Sequence, residues 1–519
     1  MLMQMIGTPV MRVICFLFLY NGMQVSGTSG CLKEYSDADS FACVCNKDHC
    51  DDFPEVILKD GHFQQIVSSK LAHRFEPFEG PISEAPVPGN PIININLENT
   101  LQTMKGFGGA FTDSTGINIA DLSKAMQEKL LRSYFSPTGI EYTMGKIIIA
   151  SSDYSKRIYS YNEVEGDMEL KHFALAPEDY SYKLPFITRA LAMSKRPLLL
   201  FGVPWSPPTW MRETDLSKGE GGIKREMWKV WADYIVKFVK SYESEGISLW
   251  GLSAQDEAML RSPWHGDGCK WNATDMRDWI KTSLGPALEA AGFGGLQLMV
   301  LDHDRDGLPW YPNTILDDPD AYKYVDGIGI HWYEDETTGP EALDAMHEHY
   351  PEKFILYTES SIGGNAPALG SWKNAERFSR NIIEDVNHWT VGWLEWNMVL
   401  DMQGGPNWAN RSADAPILVK KEEDTFYKQP LFYAMGHFSK YVTDGDVRVS
   451  YSIAPSVAGI EVTTFLKPSG EVVVVLMNTS EDEHSITIKD NKGSVLNLNL
   501  ESRSLNTVLY KPVAKKTKM

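Results

Sequence analysis

From Met104 to about Leu400 the sequence repeats one unit: an apolar strand, polar residues that follow it, and an amphipathic helix. Eight segments carry the strand and its polar end, and they are MKGFGGAFTD, GKIIIASSDYS, PLLLFGVPWSPPTW, SLWGLSAQDE, LQLMVLDHD, VDGIGIHWYED, FILYTESS and VGWLEWNMVL. Eight alternations within roughly 300 residues predict a closed (β/α)8 TIM barrel of the α/β class rather than an open sheet. The polar strand ends should then meet at one face.

Three stretches of this region and just beyond it have a helical pattern. Apolar residues recur every three or four positions from Met227 to Val239, which predicts one buried stripe. A further helix is predicted to begin with Thr274 as its N-cap. The segment YKQPLFYAMGHFSKYV after the barrel also favours a helix.

Both ends of the chain indicate β structure outside the barrel. HFQQIVSS from His62 and the alternating IININL from Ile92 predict strands before it. Short strand-like segments follow from Arg448, with Lys467 to Gly470 as a hairpin turn. The amino-terminal strands are too few to bury a core alone, so we expect them to join the carboxyl-terminal strands in a β-sandwich.

The first thirty residues have the pattern of a secretory signal peptide. Arg12 precedes an apolar stretch from Val13 to Tyr20, and small residues follow up to Gly30. That stretch is too short to cross a bilayer, and no later segment has about 18 uninterrupted apolar residues. We therefore expect a secretory-pathway protein that is not transmembrane.

Four cysteines follow closely on that segment, at Cys31, Cys43, Cys45 and Cys50. In an oxidising compartment they predict two disulfides, most simply Cys31 with Cys43 and Cys45 with Cys50, which leaves Cys269 free. A zinc site is the competing interpretation, although the C-x-C spacing and the lack of a matching histidine pair disfavour it.

Charge and glycosylation signals bear on compartment and partners. The formal net charge of −20 argues against nucleic acid as a partner, because phosphates would be repelled. An acidic lumen would relieve the self-repulsion, since carboxylates titrate at about pH 4 to 5. Three N-glycosylation sequons, at Asn272, Asn410 and Asn478, also favour a lumenal or secreted protein.

Two strand ends carry a carboxylate where a structural charge has little reason to lie. Glu257 follows one strand, with Asp256 beside it, and Glu359 ends another. Hydrolysis of a glycosidic bond needs one protonated carboxyl group for the leaving oxygen and one ionised group that attacks or activates water. A single glutamate is more often a solvated surface charge. The catalytic interpretation is favoured only because both glutamates lie at the ends of buried-type strands.

Other strand ends add aromatic and polar side chains of the kind that bind sugars. These residues are Asp153, Trp205, Ser206, Trp210, His331, Trp332, Tyr333, Trp396 and Asn397. Packing within the barrel explains any one of these tryptophans or the histidine equally well. Their convergence on one face favours a carbohydrate site.

The chain resembles the acid β-glucosylceramidases of glycoside hydrolase family 30 over nearly all of its length after the signal-like start. The matching segments are FACVCNKDHCDDF, KGFGGAFTD, PWSPPTW, GIHWYED, YTES, GGPNW and DTFYKQPLFYAMGHFSK. The resemblance implies that Glu257 is the acid/base and Glu359 the nucleophile of a retaining enzyme, with their carboxyl groups roughly 5 to 5.5 Å apart. The positions at which it implies sugar contacts are Asp153, Trp205, Asp256, His331, Tyr333 and Trp396.

The resemblance also implies a domain organisation. A signal peptide would span 1–30, and a small disulfide-linked β element 31–55 with 398–430. The β-sandwich would comprise 56–101 with 446–512, and the catalytic barrel 102–397 with 431–445.

The implied reaction is hydrolysis of glucosylceramide to glucose and ceramide in the lysosomal lumen, with no metal or organic cofactor. A lipid substrate implies work at a membrane surface, helped by anionic lipid and a saposin-like activator. A weakly catalytic, glycolipid-binding paralogue is one alternative, motivated by Asp256, Lys146 and Ala258. A β-glycosidase of another specificity, such as a xylosidase or galactosidase, is a second.

Departures from the family pattern carry expectations of their own. Asp256 stands where the family has asparagine, and its charge should raise the pKa of Glu257 or of the pair. Lys146 replaces an arginine, and a point ammonium lacks the planar fork that orients carboxylates. Arg411 and Ser412 replace an Asn-Phe pair, which should alter the grip on the aglycone.

Overall fold

The computed structural model describes residues 30–53, 55–213, 221–259, 268–364 and 367–513. These residues form a closed barrel, a nine-stranded β structure and a five-stranded sheet. None of the helices in these ranges is long and apolar enough to cross a membrane. The predicted signal peptide lies outside the described residues, apart from Gly30.

The described strands are β1 (Lys33–Tyr35), β2 (Phe41–Cys45), β3 (His62–Ser69), β4 (Glu76–Pro81), β5 (Ile92–Thr103), β6 (Gly106–Phe111), β7 (Met144–Ile149), β8 (Leu199–Pro204), β9 (Gly251–Ser253), β10 (Gln297–Asp304), β11 (Gly327–His331), β12 (Phe354–Glu359), β13 (Thr390–Glu395), β14 (Val399–Asp401), β15 (Ile417–Lys420), β16 (Thr425–Lys428), β17 (Val447–Ala454), β18 (Ile460–Leu466), β19 (Val472–Asn478), β20 (His484–Asp490), β21 (Val495–Leu500) and β22 (Ser504–Tyr510). The α-helices are α1 (Asp113–Ala120), α2 (Lys124–Phe135), α3 (Leu184–Met193), α4 (Trp228–Ser244), α5 (Ala273–Trp279), α6 (Gly285–Ala290), α7 (Trp310–Leu316), α8 (Pro319–Tyr322), α9 (Glu341–His349), α10 (Trp372–Asn387) and α11 (Pro430–Ser439).

Strands β6 to β13 form the closed barrel, in which each pairs in parallel with the next and β13 returns to β6. They coincide with the eight predicted segments, so the prediction of a TIM barrel is confirmed. Every residue of β6, β7 and β13 is buried, because a barrel strand packs against the interior on one face and against helices on the other.

Of the three helices predicted within and just after the barrel region, two are confirmed as predicted. The apolar stripe lies on α4, which buries Val230, Trp231 and Ile235, and α11 occupies the segment predicted after the barrel. The predicted cap of α5 is wrong. Asn272, two residues before Thr274, caps this helix by accepting a hydrogen bond from the backbone N–H of Asp275, since asparagine is a strong N-cap residue.

The nine-stranded structure has the order β21-β20-β5-β17-β18-β19-β22-β3-β4. Strand β5 lies between β20 and β17, and β3 pairs with β22, so both chain ends build it together. Its own core includes Ile93, Ile95, Val474 and Val508. The prediction of a β-sandwich made from both ends is confirmed, as is the turn between β18 and β19.

The five-stranded sheet joins the amino terminus to the excursion that follows the barrel, in the order β1-β2-β16-β15-β14. Disulfides connect Cys31 to Cys43 and Cys45 to Cys50, in the predicted pairing, and Cys269 is free and buried. These four sulfur atoms are therefore not available as the thiolates that a zinc site requires.

Candidate active site

A cavity of about 540 Å³ opens at the carboxyl ends of the barrel strands. Most predicted site residues line it: Asp153, Trp205, Glu257, Tyr333, Glu359 and Trp396. Asp256 and His331 are almost completely buried and lie behind this lining. The strand ends therefore converge as the barrel prediction requires.

Glu359, the predicted nucleophile, is the last residue of β12 and has both carboxylate oxygens fixed. Its Oε2 accepts a hydrogen bond of 2.8 Å from Lys146 Nζ, and its Oε1 accepts one of 2.8 Å from the Tyr333 hydroxyl. The side chain is only 3% exposed. Two donors on opposite oxygens hold the carboxylate in one orientation.

Glu257, the predicted acid/base, lies in the turn after β9. Its backbone has φ +42°, in the left-handed region, and its N–H donates to the carbonyl oxygen of Asp302 at 2.8 Å. A non-glycine residue there costs about 1–3 kcal/mol, a cost that clusters at functional sites. The strained turn brings the Glu257 side chain to the cavity wall.

Lys146 lies between two carboxylates, and this corrects an expectation from the sequence. Its ammonium group donates to Asp256 Oδ1 and to Glu359 Oε2, each at 2.8 Å. Burial opposes its charge, but Asp256 and Glu359 outweigh burial and raise the Lys146 pKa. A single ammonium therefore orients two carboxylates here without the fork of an arginine.

Asp256 is the second carboxylate that Lys146 contacts. Burial raises the Asp256 pKa well above its usual value; Lys146 opposes the shift, while Glu359 and Asp302 add to it. The raised pKa of Asp256 agrees in direction with the expectation for the Asp256–Glu257 pair.

His331 is held by Asp302, a residue that sequence reasoning did not single out. His331 Nε2 lies 3.0 Å from Asp302 Oδ1, and Nδ1 lies 3.8 Å from Glu257 Oε1. Burial disfavours the imidazolium, but Glu359, Asp302 and Glu257 together raise the His331 pKa. The raised pKa favours a protonated His331 next to Glu257. The run of polar residues that ends LQLMVLDHD was the available signal for Asp302.

Metal-binding geometry is present at the same place. Ligand atoms of Glu257, His303 and His331 lie within 4.8 Å of one another, as do those of Asp256, His331 and Glu359. A metal needs a neutral imidazole, whereas the carboxylates around His331 raise its pKa and favour a proton. Both sets are better suited to holding a proton than to holding a metal ion.

Trp205 and Trp396 supply the aromatic wall. Their rings stack with centroids 5.2 Å apart and planes inclined by 14°, and Lys146 Nζ lies 4.9 Å from the Trp396 ring. Aromatic faces of this kind give contact area to the C–H surface of a sugar ring.

Arg411 lines the cavity and pairs with a predicted sugar-binding residue. Its Nη1 lies 3.1 Å from Asp153 Oδ2. The pair connects residues 258 positions apart, which local sequence patterns do not reveal.

The three sequons differ in accessibility. Asn272 and Asn410 are exposed. Asn478 is completely buried at the end of β19, and its amide donates to the carbonyl oxygens of Asp482 and Glu501, both at 2.8 Å. The fold leaves no room for a glycan on Asn478, so we retain only the other two sequons as glycosylation candidates.

Asp304 gives a test of the electrostatics of the cavity. Burial raises the Asp304 pKa to about 7, with His331 opposing and Glu257 adding to the shift. Unfolded aspartate has a pKa near 3.9, so from about pH 4 to pH 7 the folded state holds the extra proton and stability falls as pH rises. In Asp304→Asn the difference in urea midpoint between pH 5 and pH 7 should be smaller than in the wild type.

The matched control is Asp320→Asn, which alters an exposed carboxylate far from the cavity. An unchanged pH dependence in Asp304→Asn, equal to that of the control, would contradict the assigned pKa.

A cavity of this kind, with two carboxylates on a (β/α)8 barrel, belongs to a glycoside hydrolase. The model described as the glycosyl hydrolase family 30 TIM-barrel domain matches residues 104–442, and that of the family 30 beta sandwich domain matches 445–508. This chain is a member of glycoside hydrolase family 30, a glycosidase.

Relatives of known sequence or structure agree with this membership. Lysosomal acid glucosylceramidase of Mus musculus is 35% identical over 512 residues, covering 96% of this chain and 99% of the mouse protein. The crystal structure of SrfJ from Salmonella typhimurium has a TM-score of 0.81 at 25% identity, covering 87% and 99% of the two chains. A solved endo-β1,6-glucanase has a TM-score of 0.77 at 26% identity, covering 86% and 99%.

Proposed function

We propose that this protein is a retaining β-glucosidase that hydrolyses glucosylceramide to glucose and ceramide. The observation that carries the proposal is the fixed orientation of Glu359 by Lys146 and Tyr333 in the same cavity as Glu257. The similarity to the mouse lysosomal acid glucosylceramidase supports the choice of substrate.

The proposed reaction is a double displacement. Glu359 attacks the anomeric carbon, and Glu257 protonates the glycosidic oxygen as ceramide leaves. Glu257 then takes a proton from water, which attacks the glucosyl-enzyme and releases glucose with its β configuration. His331, whose Nδ1 lies 3.8 Å from Glu257 Oε1, would position the Glu257 side chain for both steps.

The remaining predicted residues are proposed as binding groups. Asp153, Asp256, His331 and Tyr333 would contact sugar hydroxyls directly or position the groups that do, and Trp205 with Trp396 would form the apolar wall. No cofactor takes part in this scheme.

We infer a lysosomal setting, with secretion as the alternative, a signal peptide over 1–30, and glycans on Asn272 and Asn410. The lipid substrate would be reached at a membrane surface, with anionic lipid and a saposin-like activator as partners. We propose three domains. The disulfide-linked β element comprises 31–55 with 398–430, the β-sandwich 56–101 with 446–512, and the catalytic barrel 102–397 with 431–445.

Proton NMR during hydrolysis of a β-glucoside at about pH 5 tests the proposal. The first glucose to appear should be the β anomer, and glucosylceramide in vesicles of phosphatidylserine should yield ceramide. Initial α-glucose would contradict the retaining mechanism. A glycolipid-binding paralogue would bind without turnover, and preferred hydrolysis of β-xylosides or β-galactosides would assign another specificity.

A further inference from the structure

A β-bulge interrupts β10 just before the cavity. The pairing of β10 with β11 shifts between Leu301 and His303, so Asp302 is the extra residue of the bulge. Leu301 has φ +72° and Asp302 has φ +45°, both in the left-handed region although neither residue is glycine. Such strain persists only where surrounding contacts maintain it, and bulges beside active sites redirect side chains. The bulge therefore indicates that the placement of Asp302 matters for the site.

The bulge brings Asp302 into contact with the ends of three other barrel segments. Its carbonyl oxygen accepts the N–H of Glu257, which follows β9, at 2.8 Å. Its Oδ1 lies 3.0 Å from His331 Nε2 at the end of β11 and accepts a hydrogen bond from the Thr358 hydroxyl on β12. The opposite nitrogen of the same imidazole, His331 Nδ1, lies 3.8 Å from Glu257 Oε1. Asp302 thus contacts the main chain of the proposed proton donor and the histidine beside its carboxyl group.

The neighbouring strand leaves room for this arrangement. Gly329 on β11 lies against the bulge, and a Cβ atom there would lie 3.1 Å from Asp302 Oδ1 and 3.2 Å from Thr358 Oγ1. An alanine at this position would therefore press on both partners of one hydrogen bond. Gly329 offers a way to disturb the Asp302 carboxylate without removing it.

The charge of Asp302 determines what His331 offers to Glu257. Burial opposes ionisation of Asp302, but Lys146 and the hydrogen bond from His331 lower its pKa. A neutral imidazole has one N–H, whereas an imidazolium donates from both nitrogens. A carboxylate on Nε2 favours the second form and leaves the Nδ1–H for Glu257. Catalytic hydrogen bonds that are long in a free enzyme tighten when substrate binds.

We propose that Asp302 is a positioning residue for the proton donor. Its carbonyl oxygen fixes the main chain of Glu257, and its carboxylate holds His331 so that the imidazole orients the Glu257 carboxyl group toward the glycosidic oxygen. An aspartate orients a histidine in the same way in a catalytic triad. Asp302 is completely buried and acts without touching substrate. This inference rests on the proposed function, because it takes Glu257 as the proton donor.

Leaving groups of different basicity test this role. Dinitrophenolate departs without protonation, whereas the alkoxide of octyl β-glucoside needs the acid. Asp302→Asn keeps an acceptor for His331 but removes the negative charge. It should lower kcat/KM for octyl β-glucoside about 10- to 100-fold and that for 2,4-dinitrophenyl β-glucoside less than about threefold. The value of kcat/KM is compared because it reports the first step, in which the leaving group departs.

Gly329→Ala should show the same preference for the dinitrophenyl substrate to a smaller degree, and it serves as a second variant if Asp302→Asn does not fold. Asp51→Asn is the matched control, because Asp51 is a buried aspartate that pairs with Lys428 outside the cavity. It should lower stability without favouring either substrate.

Glu257→Gln is the reference variant and should show the largest difference between the two substrates. Equal losses on both substrates in folded Asp302→Asn, or no loss on either, would overturn the inference. A Glu257→Gln variant that loses the same factor on both substrates would instead contradict the proposed function, because Glu257 would then not be the proton donor.

Discussion

Glu359→Gln is expected to lower kcat/KM for a fluorogenic β-glucoside by at least about 10³-fold, because no other group then forms the glycosyl-enzyme. The amide keeps the size of the side chain and retains one oxygen for the hydrogen bond from Lys146. Thermal unfolding should therefore change much less than activity does. The measurement is the initial rate at about pH 5, with circular dichroism as the check on folding.

Azide distinguishes a nucleophile from an acid/base in matched variants. In Glu359→Gly, azide enters the space of the missing carboxylate and should yield α-glucosyl azide. In Glu257→Gly, azide attacks the glycosyl-enzyme from the opposite face and should yield β-glucosyl azide. The reverse pattern of products would exchange the proposed roles, and a rate for Glu359→Gln equal to that of the wild type would exclude Glu359 as nucleophile.

Lys146→Met is expected to destabilise the fold and to suppress activity together. Removal of the ammonium leaves Asp256 and Glu359 buried without the cation between them, which costs about 3–5 kcal/mol when one partner of a buried ion pair is lost. Without the cation, the two carboxylates repel each other, so the acidic limb of the pH–rate profile should move to higher pH. Urea unfolding and rates between pH 4 and pH 8 measure both effects.

Two further variants separate charge from packing at this position. Lys146→Arg retains a cation and should keep the pH profile close to that of the wild type. Lys146→Met combined with Asp256→Asn removes one of the two carboxylates and should recover part of the lost stability, because the repulsion between Asp256 and Glu359 is then absent. A double variant no more stable than Lys146→Met would contradict the bridging role of Lys146.

The barrel could be predicted because each of its strands is marked by a short, local sequence pattern. Each unit of apolar strand and polar end is about ten residues long, and Glu257 and Glu359 could be recognised by their place at strand ends. The pairing of β5 with β17 was expected only from the need to bury a core, and its register came from the structure. The cap of α5 was missed because Asn272 and Thr274 are both acceptable N-cap residues.

The contacts between the site residues could not be predicted from the sequence. Lys146 and Asp256 are separated by 110 residues, and Lys146 and Glu359 by 213, so no pattern within one segment connects them. The same reason explains why the contact of Arg411 with Asp153 was not foreseen. These contacts join residues far apart in the sequence, and only the closed barrel brings them together.

The most direct test of the central claim is the identity of the residue that becomes glycosylated. A 2-deoxy-2-fluoro-β-glucoside with a good leaving group should trap the glucosyl-enzyme, since fluorine slows both steps and the activated leaving group restores the rate of only the first. Peptide mass spectrometry after proteolysis should place the adduct on Glu359 in the segment FILYTESS. An adduct on any other residue, Glu257 and Asp256 included, would contradict the account.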